Sequence, residues 1–239
     1  MNSGHGVFVT GTDTGIGKTL IACALLDLLG KAGSSTCGFK PVAAGGHQTT
    51  QGLRNEDAEQ LMRHSSVSLE YAQVNPVMLA EAIAPHIAAR HEGVEIRIDA
   101  LERHYETLSA LARHVVIEGA GGWLVPLGGG YSMADLAASL GAPVVLVVGM
   151  RLGCLNHAML TAQDICQRGL TLLGWVANGI DPEMPEQAAN IATLDELLPA
   201  PRLGHVPWLD EADHATRVTL ASACIDPELF RHLTAKPLK

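Results

Sequence analysis

The sequence predicts an α/β fold: one domain over residues 1–239, built on a doubly wound, mostly parallel sheet. Three observations carry this. Short apolar runs alternate with segments of helical apolar spacing along most of the chain. Runs such as "PVVLVVG" show no alternation of apolar and polar residues, as expected of parallel strands buried on both faces. Polar or glycine-rich clusters follow the runs at 11–19, 40–46, 118–122, 149–156, 178–181 and 204–208, and such folds bind ligands at the carboxyl ends of their strands.

The elements follow in order. "GVFVT" (6–10) reads as a strand, and "KTLIACALLDLLGKAG" (18–33) as a helix stopped at Gly33. "STCGFKPV" (35–42) is a second strand. "NEDAEQLMRH" (55–64) is a helix capped by Asn55, whose side chain suits a free backbone N–H. "IDALERHYETLSALARH" (98–114) is a helix, and "VVIEGAGG" (115–122) a strand running into glycines. "SMADLAASLG" (132–141) and "PVVLVVG" (143–149) repeat the helix–strand step. "CLNHAMLTAQDICQRG" (154–169) and "LTLLGWVAN" (170–178) repeat it, as do "EQAANIATLDELLP" (186–199) and "PRLGHVP" (201–207). Residues 216–233 read as helical.

Composition narrows the function. The chain is 47% hydrophobic and 17% charged, which fits a compact enzyme-like globule. A formal charge of -9, with scattered basic residues, argues against nucleic acid or an anionic membrane as partner. Five cysteines without a C-x-x-C pair suit a reducing compartment, and the N-terminus lacks the pattern of a signal peptide. A cytoplasmic location is expected. The eleven histidines lack metal-ligand spacing.

"GVFVTGTDTGIGKT" (6–19) is the most informative stretch. Gly17-Lys18-Thr19 ends it as a phosphate-binding loop ends, giving the chain a P-loop NTPase-like architecture. Backbone N–H groups from Thr12, Asp13, Thr14, Gly15, Ile16 and Gly17, with the helix N-terminus, suit an anion. Lys18 would reach the terminal phosphates and Thr19 would put its hydroxyl on Mg²⁺. The usual G-x-x-x-x-G-K-[ST] spacing places the first glycine at position 12, yet Thr12 stands there and Gly11 comes one residue early. Mg²⁺ bridging phosphates also takes carboxylates. Glu118, just beyond a buried strand, is one candidate. Asp57, in the first turn of a helix, is a weaker one, since dipole effects alone favour an acid there.

These segments together resemble the dethiobiotin synthetase family. The matching stretches are "FVTGTDTGIGKT", "GFKPVAAG", "GLRNEDA", "VNPVMLAEAIAPH", "VIEGAGGW", "PVVLVVGMRLGCLNHAMLTAQ", "GWVAN" and "LPAPRLGHVPWL", in order over residues 8–209. The early Gly11 is also the loop spacing of that family. The resemblance implies ATP-dependent closure of a cyclic urea: 7,8-diaminononanoate takes up CO₂ as a carbamate, ATP phosphorylates the carbamate, and the second amine displaces phosphate. It implies ATP and Mg²⁺ as cofactors, with Thr19, Asp57 and Glu118 around the metal. Lys18 and Lys40 become the catalytic cations. Asn178 is implied on the adenine ring, with Gly204, Val206 and Pro207 completing that pocket. "NGID" (178–181) also resembles a guanine-reading N-K-x-D without its lysine, so the residues leave base preference open.

For the diamine, the resemblance implies contacts from Thr14, Lys40, Ala44, Gly121 and Gly122. It implies a homodimer in which Gly153, Cys154, Leu155 and Asn156, at a helix N-terminus, hold the substrate's tail carboxylate across the interface. Cys154 is expected to pack and to offer its N–H. Two positions depart from better-known relatives: Gly15, where Glu is usual, and Ala44, where Ser is frequent. Relatives with Glu imply a backbone that accepts a Cβ, so Gly15→Ala is expected to stabilise by about 0.4–1 kcal/mol if the angles match. The rival class is a nucleotide-switch ATPase of the partition or septum-positioning type. Its members carry a further lysine in the loop, where this chain has Asp13, and often a basic or amphipathic C-terminal anchor, which is not expected here.

Overall fold

The structure is a computed structural model that describes residues 5–210 and 213–234. Strand β1 (His5–Gly11) feeds helix α1 (Lys18–Lys31), which leads to β2 (Thr36–Phe39). Short pieces follow: β3 (Val42–Ala44), β4 (His47–Thr49), β5 (Gly52–Arg54), α2 (Glu56–His64), α3 (Tyr71–Val74), β6 (Val77–Leu79) and α4 (Pro85–Glu92). Then come α5 (Ile98–Leu111), β7 (His114–Glu118), β8 (Pro126–Gly128), β9 (Tyr131–Ser132), α6 (Met133–Leu140) and β10 (Val144–Met150). The remainder is α7 (Cys154–Gln167), β11 (Leu172–Gly179), α8 (Gln187–Leu197), β12 (Arg202–Val206), α9 (His214–Ala223) and α10 (Pro227–Thr234).

Six strands form one sheet in the order β12-β11-β10-β1-β7-β2, and every neighbouring pair is parallel. β1 lies centrally. The strands that follow it in the first half of the chain lie on one side, and β10 to β12 lie on the other. The order therefore reverses beside β1, and the crevice beyond the carboxyl ends at such a point is where ligands bind.

The apolar strands are explained by burial on both faces. Along β10, Val144, Leu146 and Val148 belong to one core, with Phe8, Phe39 and Trp175, while Val145 and Val147 belong to the other, with Val7 and Val9. Fully burying such a side chain contributes roughly 1.5–3 kcal/mol, so no polar position survives in the strand. α1 is buried on most of its surface, because it lies between the sheet and both α2 and α9. It can hold its lysine and threonine rigidly at the sheet's edge.

Two features differ from the sequence expectation. The C-terminal segment is helical as expected but is divided into two helices. Ile225 pairs with Gly204 in an isolated bridge, and Asp226 accepts from the N–H groups of Glu228 and Leu229 to start α10 at Pro227. The expected "STCGFKPV" strand stops at Phe39, and Val42–Ala44 pairs instead with Val77–Leu79. This second ladder begins two residues after Lys40, and the β4–β5 hairpin leads into α2.

Candidate active site

The loop after β1 is anchored by its own residues. Thr12 donates its N–H to the Val147 carbonyl (3.1 Å), and its hydroxyl accepts the Gly149 N–H (3.4 Å). A threonine at the position of the usual glycine thus ties the loop to β10. Gly11 lets two side chains pack close: a Cβ there would sit 2.5 Å from Cδ1 of Ile16 and 3.1 Å from Cγ of Lys18. Ile16 is buried, and its carbonyl accepts from Nδ2 of Asn178 (2.8 Å). Gly17, at φ 90°, leaves no room for a Cβ beside that amide. Lys18 closes the turn by donating to the Asp13 carbonyl (2.7 Å). Burial, with the Lys40 ammonium nearby, lowers the pKa of Lys18 to about 8.

Gly15 corrects an expectation. Its φ is +72°, in the left-handed region, although the space around it is open. A Cβ there is strained by about 1–2 kcal/mol. Gly15→Ala is therefore expected to lower stability by about 1 kcal/mol rather than raise it, read as a lowered Tm in a thermal melt. An unchanged or raised Tm would contradict this.

Beyond the loop, one lysine, a threonine and two carboxylates meet. Lys40 donates to Oδ2 of Asp57 (2.7 Å) and to Oε1 of Glu118 (2.6 Å). The Thr19 hydroxyl lies within hydrogen-bond distance of Oδ1 of Asp57 (2.8 Å) and Oε1 of Glu118 (2.9 Å). Four sites predicted from separate parts of the chain are thereby adjacent. Lys40 is 3% exposed and Glu118 1%, so the pair is largely removed from water. Burial pushes Glu118 above the usual carboxylate range, and Lys40 offsets only part of that. Burial by itself lowers Lys40, but the charges of Glu118 and Asp57 outweigh it and hold Lys40 raised. Burial likewise opposes ionisation of Asp57, and Lys40 overcomes it, leaving Asp57 lowered. Asp57 sits in the first turn of α2, which Asn55 caps as expected.

Oε2 of Glu118 is buried and has no hydrogen-bond partner. An orphaned carboxylate oxygen is costly unless a cation or donor reaches it. Beside the Thr19 hydroxyl and Asp57, it makes an all-oxygen donor set that fits Mg²⁺. No group of three His, Cys, Asp or Glu able to hold a metal occurs among the described residues. Mg²⁺ does not require one, since it takes one or two carboxylates together with phosphates.

The glycine loop after β7 lies against the phosphate loop. A Cβ at Gly121 would come within 3.4 Å of the Thr14 hydroxyl, and one at Gly122 within 3.9 Å of the Asp13 Cα. Ala44 ends β3, half-buried. Gly153, at φ 94°, caps α7. The Cys154 N–H is not available as expected: it donates to the Arg151 carbonyl (3.0 Å). The first N–H groups of a helix have no intrahelical partner, so Leu155 and Asn156 are the donors to consider there. At the positions expected to border the base, a Cβ at Gly179 would meet the Trp208 N at 2.7 Å, so Gly179 is in contact with 207–208. Val206 is buried at the end of β12. Gly204 faces the C-terminal segment, and a Cβ on it would meet the Cys224 carbonyl oxygen at 2.2 Å.

Two links were not anticipated. Arg151, just past β10, forms an ion pair with Asp13 and so joins the phosphate loop to the turn before α7. Trp123 donates to Asp164 (2.6 Å), which also accepts from Arg168 (2.6 Å), fixing the glycine loop against α7. An arginine directly after a buried strand was the sequence signal for the first; the second had none.

A family model described as an AAA domain matches residues 5–216. ATP-dependent dethiobiotin synthetase BioD of Pseudomonas aeruginosa (strain UCBPP-PA14) is 55% identical over 209 residues, covering 87% of this chain and 92% of that protein. ATP-dependent dethiobiotin synthetase BioD 1 of Escherichia coli (strain K12) is 50% identical over 204 residues, covering 85% and 91%. Among solved structures, the MinD cell division protein of Aquifex aeolicus superposes with a TM-score of 0.59 at 14% identity, over 98% of this chain and 99% of that one. The septum site-determining protein MinD of Pyrococcus horikoshii OT3, complexed with Mg-ADP, gives 0.54 at 17% identity, over 96% and 94%. At such identities the two MinD structures share the fold alone.

Proposed function

The chain belongs to the ATP-dependent dethiobiotin synthetases, and on that premise we propose how its residues divide the work of closing a cyclic urea. It is an ATP-dependent ligase of biotin biosynthesis, and the nucleotide-switch alternative is set aside. The observation that carries the division of labour is the buried Lys40, held between Asp57 and Glu118 one hydrogen bond from Thr19.

One amine of 7,8-diaminononanoate adds to CO₂ and gives up a proton, leaving a carbamate. A carbamate oxygen then attacks the γ-phosphorus of ATP, and the bond to ADP breaks. The second amine attacks the carbonyl carbon of the mixed anhydride and gives up a proton, the ring closes and phosphate leaves. The obstacle is the meeting of two anions. Two unit charges 4 Å apart repel by about 4 kcal/mol at an effective dielectric of 20, roughly a thousandfold in rate. Catalysis therefore rests on positioning and fixed positive charge. Lys18 lies along the phosphates, and Lys40 bridges carbamate and γ-phosphate. Thr19, Asp57 and Glu118 would hold Mg²⁺, which supplies further neutralisation of the phosphates. Thr14, Ala44, Gly121 and Gly122 orient the diamine, and Asn178, Val206 and Pro207 border the base. The five free cysteines favour a cytoplasmic, reducing setting, and no described helix is long and apolar enough to cross a membrane.

The metal assignment is tested by Asp57→Asn. The midpoint of Mg²⁺ activation is expected to rise by about tenfold or more; an unchanged midpoint would remove Asp57 from the metal.

A homodimer with shared sites is the second part of the reading. Leu152 is 92% exposed just before α7, and Met159 and Leu160 are exposed within that helix, beside the turn assigned to the tail carboxylate. Covering them with a second copy removes apolar surface from water. Sedimentation is expected to give a dimer, and Leu152→Asp a monomer of low activity. A fully active wild-type monomer would contradict this.

A further inference from the structure

We propose that Tyr71 and Asn75 are positioning residues for ring closure, fixing Lys40 and Asp57 relative to one another through one continuous hydrogen-bonded path. The inference rests on the reading that Lys40 and Asp57 serve the reaction.

The path starts at the backbone of Lys40. Its carbonyl accepts from Nδ2 of Asn75 (2.7 Å), and its N–H donates to the Val74 carbonyl (2.8 Å). Both backbone groups of the catalytic lysine are thus held by the end of α3. Asn75 is buried, and its Nδ2 donates a second time, to the Val77 carbonyl (3.2 Å). Two carbonyls facing one end of the amide identify that end as the donor. Oδ1 must then face the Tyr71 hydroxyl, which donates to it (2.9 Å). The same hydroxyl oxygen accepts the Asn55 N–H (2.8 Å). Asn55 caps α2 by accepting from the Ala58 N–H (3.3 Å), and its own amide donates to the Gly45 carbonyl (2.8 Å). Asp57 is two residues further on.

One phenol oxygen therefore joins the segment carrying Lys40 to the helix start carrying Asp57. The fold itself has other ties at this place: the Gly38 N–H donates to Oγ of Ser65 (2.9 Å), holding β2 to the far end of α2. The path is needed for register within the site. The Lys40 ammonium must meet carboxylate oxygens at 2.6 and 2.7 Å, and misplacement by about 1 Å can cost roughly 10²-fold in rate.

The test is Tyr71→Phe in the full-length chain. Phenylalanine keeps the ring, over which the Arg54 guanidinium lies 4.0 Å from the centroid, and removes only the hydroxyl. Kinetics are measured at a temperature where wild type and variant are both fully folded by circular dichroism. The expected result is a kcat lowered by about tenfold or more, with the KM for ATP within about twofold of wild type. Ser65→Ala, which removes a nearby hydrogen bond outside the path, is expected to leave kcat unchanged. In a Lys40→Gln background, adding Tyr71→Phe is expected to cost little further, because residues acting through one another are not additive. An unchanged kcat for Tyr71→Phe, or an equal loss in both backgrounds, would overturn the proposal. If Tyr71→Phe does not fold, Asn75→Ser decides by the same criteria. A fully active Lys40→Gln would overturn the underlying site reading together with the proposal, whereas an inactive Lys40→Gln beside a wild-type Tyr71→Phe overturns the proposal alone.

Discussion

Lys40→Gln is expected to lower kcat by about 10²- to 10³-fold, with a far smaller change in the KM for ATP. Removing one preorganised charge from a transition state that joins two anions typically costs that much. The ammonium is also structural. It is the partner of Glu118, which lies 1% exposed with one oxygen already orphaned. Breaking a buried pair by removing one partner costs about 3–5 kcal/mol, a large share of the roughly 5–15 kcal/mol that holds a domain together. Glutamine keeps a donor, so the lower end is expected. Steady-state kinetics with ATP and diamine varied separately, together with a urea melt, measure both effects. A variant with more than about a tenth of wild-type turnover would remove Lys40 from the chemistry.

Lys18→Ala is expected to lose activity on the same scale, about 10²- to 10³-fold, but without the loss of stability. Its ammonium donates to a backbone carbonyl, that of Asp13, and among the described residues forms no ion pair. Burial and the neighbouring Lys40 charge already lower its pKa to about 8. A cation held that way does not stabilise the empty protein, and replacing buried charge with apolar atoms is often neutral or better. ATP binding followed by calorimetry should weaken sharply, while the denaturation midpoint stays within error. Similar destabilisation in the two lysine variants would mean that Lys18 has a carboxylate partner in solution.

The central sheet was legible because each strand is an apolar run that ends in a polar or glycine-rich cluster, and burial on both faces leaves no other composition. The site was legible for the same reason: Gly11, Lys40, Glu118 and Asn178 lie at or just beyond strand ends, and parallel strands bring such ends together. The short strands between Val42 and Leu79 were not, because three residues carry no period. The break before Pro227 did have a signal in "IDPEL", an Asp cap followed by Pro at the helix start, but helical spacing on both sides masked it. The sign of φ at Gly15 could not be inferred from relatives with Glu, since a left-handed residue of modest strain survives where function holds it. The Arg151–Asp13 pair had half a signal, an arginine directly after a buried strand, but its partner lies far away in sequence and nothing local names it.

ATP cleavage in this site is coupled to closing a cyclic urea. The most direct test is ADP release from ATP in the presence of Mg²⁺, with 7,8-diaminononanoate and bicarbonate added together and singly, and dethiobiotin measured alongside. One ADP for each dethiobiotin is expected when both are present, and near-baseline release when either is omitted. ADP release indifferent to diamine and bicarbonate, without dethiobiotin, would contradict it.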